Sequence, residues 1–382
     1  MRIFYASGKR PNGALKDSQV WYENLFLSLV DLGHDVVEFD FDLEPLVEAA
    51  DGSVPANAAY VEEHRPLAER ELLHQLRAAH AEQPIDLFFS YFSSSCVTTN
   101  TIDEIRSMGI PTMNWYCNAS YQLHLVADIA PAYDWCLVPE KYRIEDYRGL
   151  GANPVYFQEA ANPRIYHPYD VKRDLGVTFV GARYADRPHH IKALVDAGID
   201  VHAFGPGWLD PAGVRQVESL SDFGRLAINP TAWKRLGARA YRRVFAPERV
   251  QPVLPQSVCG PMLSDEDMVA MYSRSDISLG FSTVDSDPNG ERIVQIRLRD
   301  FEAPMSGAFY LLEYQPEFEE FFEIGSEIVC YQGMDDLVGK CEYYLAHPKE
   351  REAIRIAGHE RALRDHTWQK RFTVLFEEIG MD

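Results

Sequence analysis

Arg299 and Glu302 stand three residues apart in the stretch RLRDFEAPMSGAFYLLEY, Arg297 to Tyr314. On a helix that spacing puts a guanidinium and a carboxylate on one face, a single turn apart. As a solvated ion pair they contribute only about 0.3–0.5 kcal/mol. At a crevice between domains the same pair has a different use. The positive N-terminal end of the helix and the arginine hold a diphosphate, while the carboxylate accepts hydrogen bonds from two ribose hydroxyls. Asp287 and Pro288 offer an N-cap and a first helical residue and Gly307 a C-cap, so the sequence predicts one helix between them, followed by the strand AFYLLEY. On that helix Val294, Leu298, Phe301 and Met305 form an apolar stripe, and Arg292, Gln295, Arg299, Glu302 and Ser306 line nearly the opposite side. Pro304 removes one helical hydrogen bond and is expected to distort the last turn.

The elements that must carry such a helix follow from the apolar pattern. Short apolar runs alternate with longer amphipathic ones, as strands and helices do in a parallel α/β sheet. RIFYAS is a first strand, Ser18 to Leu32 a helix and HDVVEFD a second strand; IDLFFSYF, GIPTMNWY, YDWCLVPE and NPVYFQEA are further strands. After the turn-rich NPRIYHPYD the alternation restarts with DLGVTFVGARYADRP, a helix from about His189 to Ala197, and IDVHAFGPGW, which puts a domain boundary near Pro168. Leu209 to Cys259 is irregular, LSDEDMVAMYSRSD and ISLGFST resume the pattern, and Lys349 to Ile379 reads as a long terminal helix able to return to the first domain. Three segments result: 1–168 and 169–355, each Rossmann-like, and a C-terminal helix at 356–382 that packs back on the first.

Composition narrows the partners. The chain has 382 residues, 46% of them hydrophobic, which suits two domains. With 58 acidic against 37 basic residues the net charge is −21, which repels a nucleic-acid backbone. Six cysteines without a CxxC pair fit neither a disulfide framework nor a zinc site, and predict reduced thiols in a cytosol. MRIFYASGKRPNG turns polar too early for a signal peptide, and no apolar run reaches membrane-span length, so the expectation is a soluble cytoplasmic protein. The basic stretch WKRLGARAYRRVF, Trp233 to Phe245, is either a solvated helix or a peripheral contact for an anionic membrane face or acidic acceptor.

Three other patterns are assigned structural roles. Asp40-Phe41-Asp42 and Asp285-Ser286-Asp287 have D-x-D spacing, but one ends a strand and the other starts the predicted helix, so both are read as caps. His189-His190 lacks companion ligands at zinc spacing and is read as an exposed helix start. SGKRPNGALKDS, after the first strand, is not a phosphate-binding Walker loop because Ala14 follows Gly13; its Gly8, Lys9 and Gly13 are placed to approach a donor diphosphate or an acceptor.

From Arg297 to Tyr331, and on through DDLVGKCEYYLAHPKEREAIRIAGHERALRDHTWQKR, the chain resembles the C-terminal region of spore-maturation-type glycosyltransferases. These are group 1 enzymes of the GT-B fold, with two Rossmann-like domains whose parallel sheets face each other across a cleft. VTFVGARYADR, VHAFGPGW, LSDEDMVAMYSRSDISLGFS, GHDVVEFD and QEAANPRIYHP extend the likeness over most of the chain except Leu209 to Cys259. The resemblance implies a transferase moving a sugar from a nucleoside diphosphate to an unidentified acceptor, with retention, without a metal and with no cofactor beyond the nucleotide-sugar donor. It places Glu302, in EAPMSG, on the donor ribose, with Ser306 in the same pattern; Arg299 and either Arg183 or Arg187 on the leaving phosphates; and Gly205 and Gly207 near the base or ribose. Asn118 and His124 fall where related enzymes keep a polar catalytic residue. Many relatives carry a second glutamate eight positions before the first; here that position is Val294, and Glu291 is the nearest substitute. The same fold also supports nucleotide-sugar epimerases and hydrolases, and the missing glutamate keeps a noncatalytic sugar-nucleotide or glycan-binding protein as a further alternative.

Overall fold

Strand β1 (Arg2–Ala6) buries every residue, with Ile3 and Tyr5 on one face and Phe4 and Ala6 on the other, in a computed structural model that describes residues 1–7, 20–209, 251–286 and 291–381. Burial on both faces is what a strand inside a parallel sheet requires. Five more follow: β2 (Asp35–Glu38), β3 (Leu87–Ser90), β4 (Thr112–Trp115), β5 (Trp135–Val138) and β6 (Pro154–Tyr156). They form one parallel sheet in the order β2-β1-β3-β4-β5-β6. Its helices include α1 (Leu27–Asp31), which continues a π-helical turn at Tyr22–Phe26, and α2 (Pro55–Glu82). Only Ala68, Leu72, Leu76 and Ala79 of α2 are buried, a stripe too narrow to stand out in a segment otherwise charged along its length.

The second sheet repeats the plan with β7 (Leu175–Val180), β8 (Val201–Phe204), β9 (Ser275–Gly280), β12 (Tyr310–Glu313) and β13 (Val329–Tyr331), in the order β13-β12-β9-β7-β8 and again all parallel. Here α3 (Arg187–Asp196) follows β7, and α4 (Asp265–Arg274) precedes β9 with Ser264 Oγ accepting from Asp267 N as its N-cap. Between β9 and β12 lies the segment on which the sequence argument turned. It is an antiparallel ribbon, β10 (Thr283–Ser286) with β11 (Arg292–Val294), followed by the short helix α5 (Leu298–Met305).

The helix predicted from Asp287 therefore begins at Leu298. Arg292-Ile293-Val294 pairs with Thr283–Ser286 as a strand, and the cap comes from Asp300, whose Oδ2 accepts from Arg297 N at 2.8 Å. Asp285 accordingly sits in a strand rather than at a helix start, while Asp42 Oδ1 does accept from Glu44 N at 3.1 Å beside a short helix. His190 is buried rather than exposed; its ring packs near Phe281 and Tyr331, and its Nδ1 lies 3.0 Å from Asp186 O.

The terminal helix is two helices, α6 (Pro348–Asp365) and α7 (Trp368–Ile379), broken at His366 and Thr367, where Thr367 Oγ1 caps α7 by accepting from Lys370 N. Trp368, Phe372, Leu375 and Phe376 of α7 join the cluster formed by Ile3, Tyr5, Leu87 and Trp115 of the first sheet. The outward and returning chains are fastened to each other: Ala161 N donates to His366 O at 3.1 Å, and Trp368 N donates to Ala161 O at 3.3 Å. All six cysteines are free, and five of them are buried. Among the described residues no helix is long and apolar enough to cross a membrane.

Candidate functional site

Parallel sheets present ligands at the carboxyl ends of their strands, and here those ends converge. Between them lies a cavity of about 1360 Å³. The first half lines it with Tyr91 and Ser93 after β3, Cys117 and Asn118 after β4, and Glu159 after β6; the second half contributes Gly181 to Arg187 in part, Gly205, and the ribbon and helix from Gln295 to Glu302.

The wall from the second half is cationic. Arg187, at the first position of α3, is 4% exposed; its Nη1 donates to Ala182 O at 2.8 Å and its Nη2 to Tyr184 Oη at 2.7 Å, with the guanidinium 3.8 Å above the Tyr184 ring. Arg297 Nη1 reaches the same hydroxyl at 2.5 Å, and its Nη2 donates to Thr283 O at 2.7 Å. Arg299 Nη1 donates to Val180 O at 2.8 Å. Among the described residues none of these three guanidiniums has a carboxylate within ion-pair distance. Burial, reinforced by Arg297, lowers Arg187 to about 9. Burial on its own would raise the Tyr184 hydroxyl, but Arg187 and Arg297 outweigh it and pull it below its usual range.

Acids stand close by without neutralising that wall. Glu302 is 2% exposed and its Oε1 has no hydrogen-bond partner. Burial raises it to about 7, against the opposing pull of Arg299 and the Tyr166 hydroxyl. Asp300 accepts from Tyr310 Oη at 2.7 Å, and burial raises its pKa. Glu140, raised by burial to about 7, accepts from Gln295 Nε2 at 3.0 Å; the same amide donates to Cys117 O at 2.6 Å and so joins the two halves beneath the cavity. Burial, then the neighbouring Glu140, Glu302 and Asp300, hold Glu159 well above the carboxylate range.

Of the residues singled out from sequence, Arg299, Glu302, Arg187, Gly205 and Asn118 line this cavity. Gly205 has φ +131°, and a Cβ there would lie 2.5 Å from Gly181 O, so the close approach of the β7 and β8 loops requires glycine. The others among the described residues lie elsewhere. Arg183 Nη2 donates to Pro252 O at 2.9 Å, its guanidinium rests 5.7 Å from the Trp208 ring, and it is not among the lining residues, so of the two candidate phosphate arginines it is Arg187 that faces the cavity. Gly207 is not in the lining either. Ser306 is fully buried behind α5, its carbonyl accepting from Ser273 Oγ at 3.4 Å. His124 is exposed and borders a separate cavity of about 470 Å³ with Asp51 and Ser53. Gly8, Lys9 and Gly13, and the basic stretch Trp233 to Phe245, lie outside the described residues. Glu291, the nearest substitute for the glutamate that Val294 replaces, is exposed and absent from the lining. Sequence reasoning passed over Arg297, Tyr184 and Glu159. Arg297 was visible as the first arginine of RLR, but only the strand-to-helix join aims it inward.

The sequence profile of the family described as glycosyl transferase-like matches residues 187–377, half of the chain. No curated protein matches in sequence. Among solved structures the chain is similar, over 99% of its length and 98% of the other's, to sucrose-phosphate synthase from Thermosynechococcus elongatus, at 11% identity and a TM-score of 0.58. It is similar over 100% and 99% to Anabaena HepE in complex with UDP and glucose, at 12% identity and 0.56, and over 98% and 97% to a glycosyltransferase from Rickettsia africae, at 10% identity and 0.55. At these identities the likenesses establish the fold. With a family match across half its length and a two-sheet architecture shared from end to end with these structures, the chain belongs to the glycosyl transferase-like family and is a glycosyltransferase of the GT-B fold.

Proposed function

We propose that this glycosyltransferase binds a nucleoside-diphosphate sugar in the interdomain cavity and passes the sugar to an acceptor entering from the N-terminal half, 1–168. The observation that carries this reading is the trio of guanidiniums, Arg187, Arg297 and Arg299, turned to one cavity with no carboxylate at ion-pair distance among the described residues. Cations withdrawn from water and held only by neutral acceptors are costly, and a diphosphate supplies the negative charge they lack. Glu302, one turn along α5 with a free oxygen, suits the ribose diol. Breaking the bond between the anomeric carbon and the diphosphate leaves an oxocarbenium-like centre and a departing anion; fixed guanidiniums stabilise that anion where its charge develops. Charge stabilisation by arginine alone, with no metal, and retention at the anomeric carbon belong to the same reading.

Because HepE was solved with UDP, uridine is the first nucleobase to try. Calorimetry with UDP, GDP, TDP and ADP, followed by product analysis with their sugar forms and an acceptor panel, tests the proposal. Saturable binding of one diphosphate and acceptor-dependent sugar transfer are expected. No binding by any of the four at millimolar concentration would remove the donor site, and release of free or epimerised sugar irrespective of acceptor would replace transfer by hydrolysis or epimerisation.

A further inference from the structure

A diphosphate and a ribose use the arginines and Glu302, and leave one buried acid of the cavity without a role. Glu159 lies on the loop that carries the chain out of the first sheet after β6, and is 4% exposed. Its backbone N–H donates to Gln158 Oε1 at 2.9 Å, but its Oε2 has no partner, and among the described residues its carboxyl accepts no hydrogen bond. It nevertheless lines the cavity. A buried carboxyl with nothing to bond is unfavourable for the fold on its own account, so a ligand that completes it is the economical explanation. Glu159 shares that lining with Glu302, Asp300 and Arg297, although it comes from the opposite half.

The donor half has little to offer in its place. On the approach to α5, Val294 is apolar, Gln295 commits its amide to Cys117 O and Glu140, and Glu291 is absent from the lining. Once the diphosphate and ribose are seated, the part of the ligand still to be read is a ring bearing several hydroxyls, and hydroxyls need acceptors.

We infer that Glu159 reads the transferred sugar, its carboxyl hydrogen-bonding hydroxyls of the hexose and so fixing the ring from the N-terminal side of the cavity. The inference rests on the donor reading above. It makes Glu159 a specificity-determining residue contributed to the donor cavity by the opposite half.

The test compares, by calorimetry on the full chain, the bare diphosphate that wild type binds best with its glucose, galactose, mannose and N-acetylglucosamine forms, for wild type, Glu159→Ala and Glu159→Gln. Glu159→Ala is expected to weaken the best-bound sugar form by about tenfold to a hundredfold. Affinity for the bare diphosphate should stay within about twofold, since no bond to it is lost. Glu159→Gln, which keeps one acceptor, should fall between, and melting temperatures should not drop because no hydrogen bond of the fold is removed. Equal weakening of diphosphate and diphosphate sugar, or a wild type that prefers no sugar form over the bare diphosphate, overturns the assignment alone. No diphosphate binding in wild type overturns the donor reading, and this assignment with it.

Discussion

The cavity walls and the crossover that joins the two halves are both buried and both polar, yet they leave their carboxylates and guanidiniums in different company. At the crossover His366, Asn162 and Asn24 find their partners in the protein, although Trp368 Nε1 and Arg371 Nε have none. His366 Nε2 donates to Phe321 O at 2.6 Å and its Nδ1 lies 3.1 Å from Arg371 Nη2. Asn162 donates from Nδ2 to Glu23 O at 2.8 Å and accepts at Oδ1 from Arg164 N at 3.0 Å, while Asn24 Oδ1 accepts from Asn162 N at 3.1 Å. In the cavity three guanidiniums lack carboxylates, and Glu302 Oε1 and Glu159 Oε2 lack any partner. A completed polar network fixes one arrangement of the chain, whereas a buried group left incomplete costs stability and persists where something outside the chain completes it. The crossover is therefore read as architecture and the cavity as chemistry, and substitutions should separate the two.

The largest effect belongs to the crossover. Trp368 is fully buried, with its ring 5.4 Å from Trp115 and 5.8 Å from Phe157. Trp368→Ala should lower unfolding stability by about 3–5 kcal/mol in a urea titration. Donor affinity of the fraction still folded should be unchanged. Arg297→Ala reverses the pattern: kcat/KM should fall by about a hundredfold through loss of charged hydrogen bonds to the leaving group, with a loss of stability well below that of Trp368→Ala, since only its bonds to Tyr184 Oη, Thr283 O and Ser282 O leave the fold. If Arg297→Ala melted early and kept its kinetics, the contrast between the two regions would be wrong.

Glu302 sharpens the contrast because it links binding to stability. Glu302→Gln should weaken the donor by about tenfold, since an amide accepts fewer hydrogen bonds from the ribose. Its effect on stability depends on pH. Folding raises the carboxyl from an ordinary 4.5 to about 7, so the stability it contributes is complete below 4.5 and is lost as pH rises through about 7. Thermal melts at pH 5 and pH 8 should thus draw closer together in the variant than in wild type. An unaltered gap would mean that the buried acid is not the group that titrates.

Both sheets were legible because their strands are short apolar runs such as LFFS and WCLV, bounded by polar loops and buried on both faces. The helix α2 was not, since four buried residues among twenty-eight make too faint a stripe. The start of α5 was misplaced for a different reason. Asp287-Pro288 is a good helix signal locally, but Arg292-Ile293-Val294 pairs with Thr283–Ser286 in a two-stranded ribbon that helix signals do not record, and an arginine capped by Asp300 is an unusual N-terminus to look for. In the site, Arg299 and Glu302 could be read because one turn of helix sets their relation. Glu159 and Glu302 come from opposite halves and share a cavity only in the folded chain, and nothing in local spacing records that. The exposed ion pair weighed for Arg299 and Glu302 is absent: Glu302 is buried, and Arg299 bonds Val180 O instead.

The smallest effect tests the crossover by titration. Burial, with Arg371 alongside, lowers His366 from an ordinary 6.5 to about 3, so its ring stays neutral in the fold with the proton on the nitrogen that bonds Phe321 O. A depressed histidine contributes stability that is present above 6.5 and is lost as pH falls towards about 3, the opposite direction to Glu302. Between pH 6.5 and 5.5 the loss should be about 1 kcal/mol, since the unfolded chain takes up a proton that the fold refuses. In that window the carboxylates of the cavity gain stability as the pH falls, so wild type shows only the difference of the two slopes. His366→Gln keeps a donor for Phe321 O and an acceptor for Arg371 but cannot titrate, and urea titrations across this range should show it more stabilised by acid than wild type. If the variant and wild type instead ran parallel from pH 7.5 to 5, His366 would already be taking up its proton in the fold, and the crossover would be as open to charge as the cavity it supports.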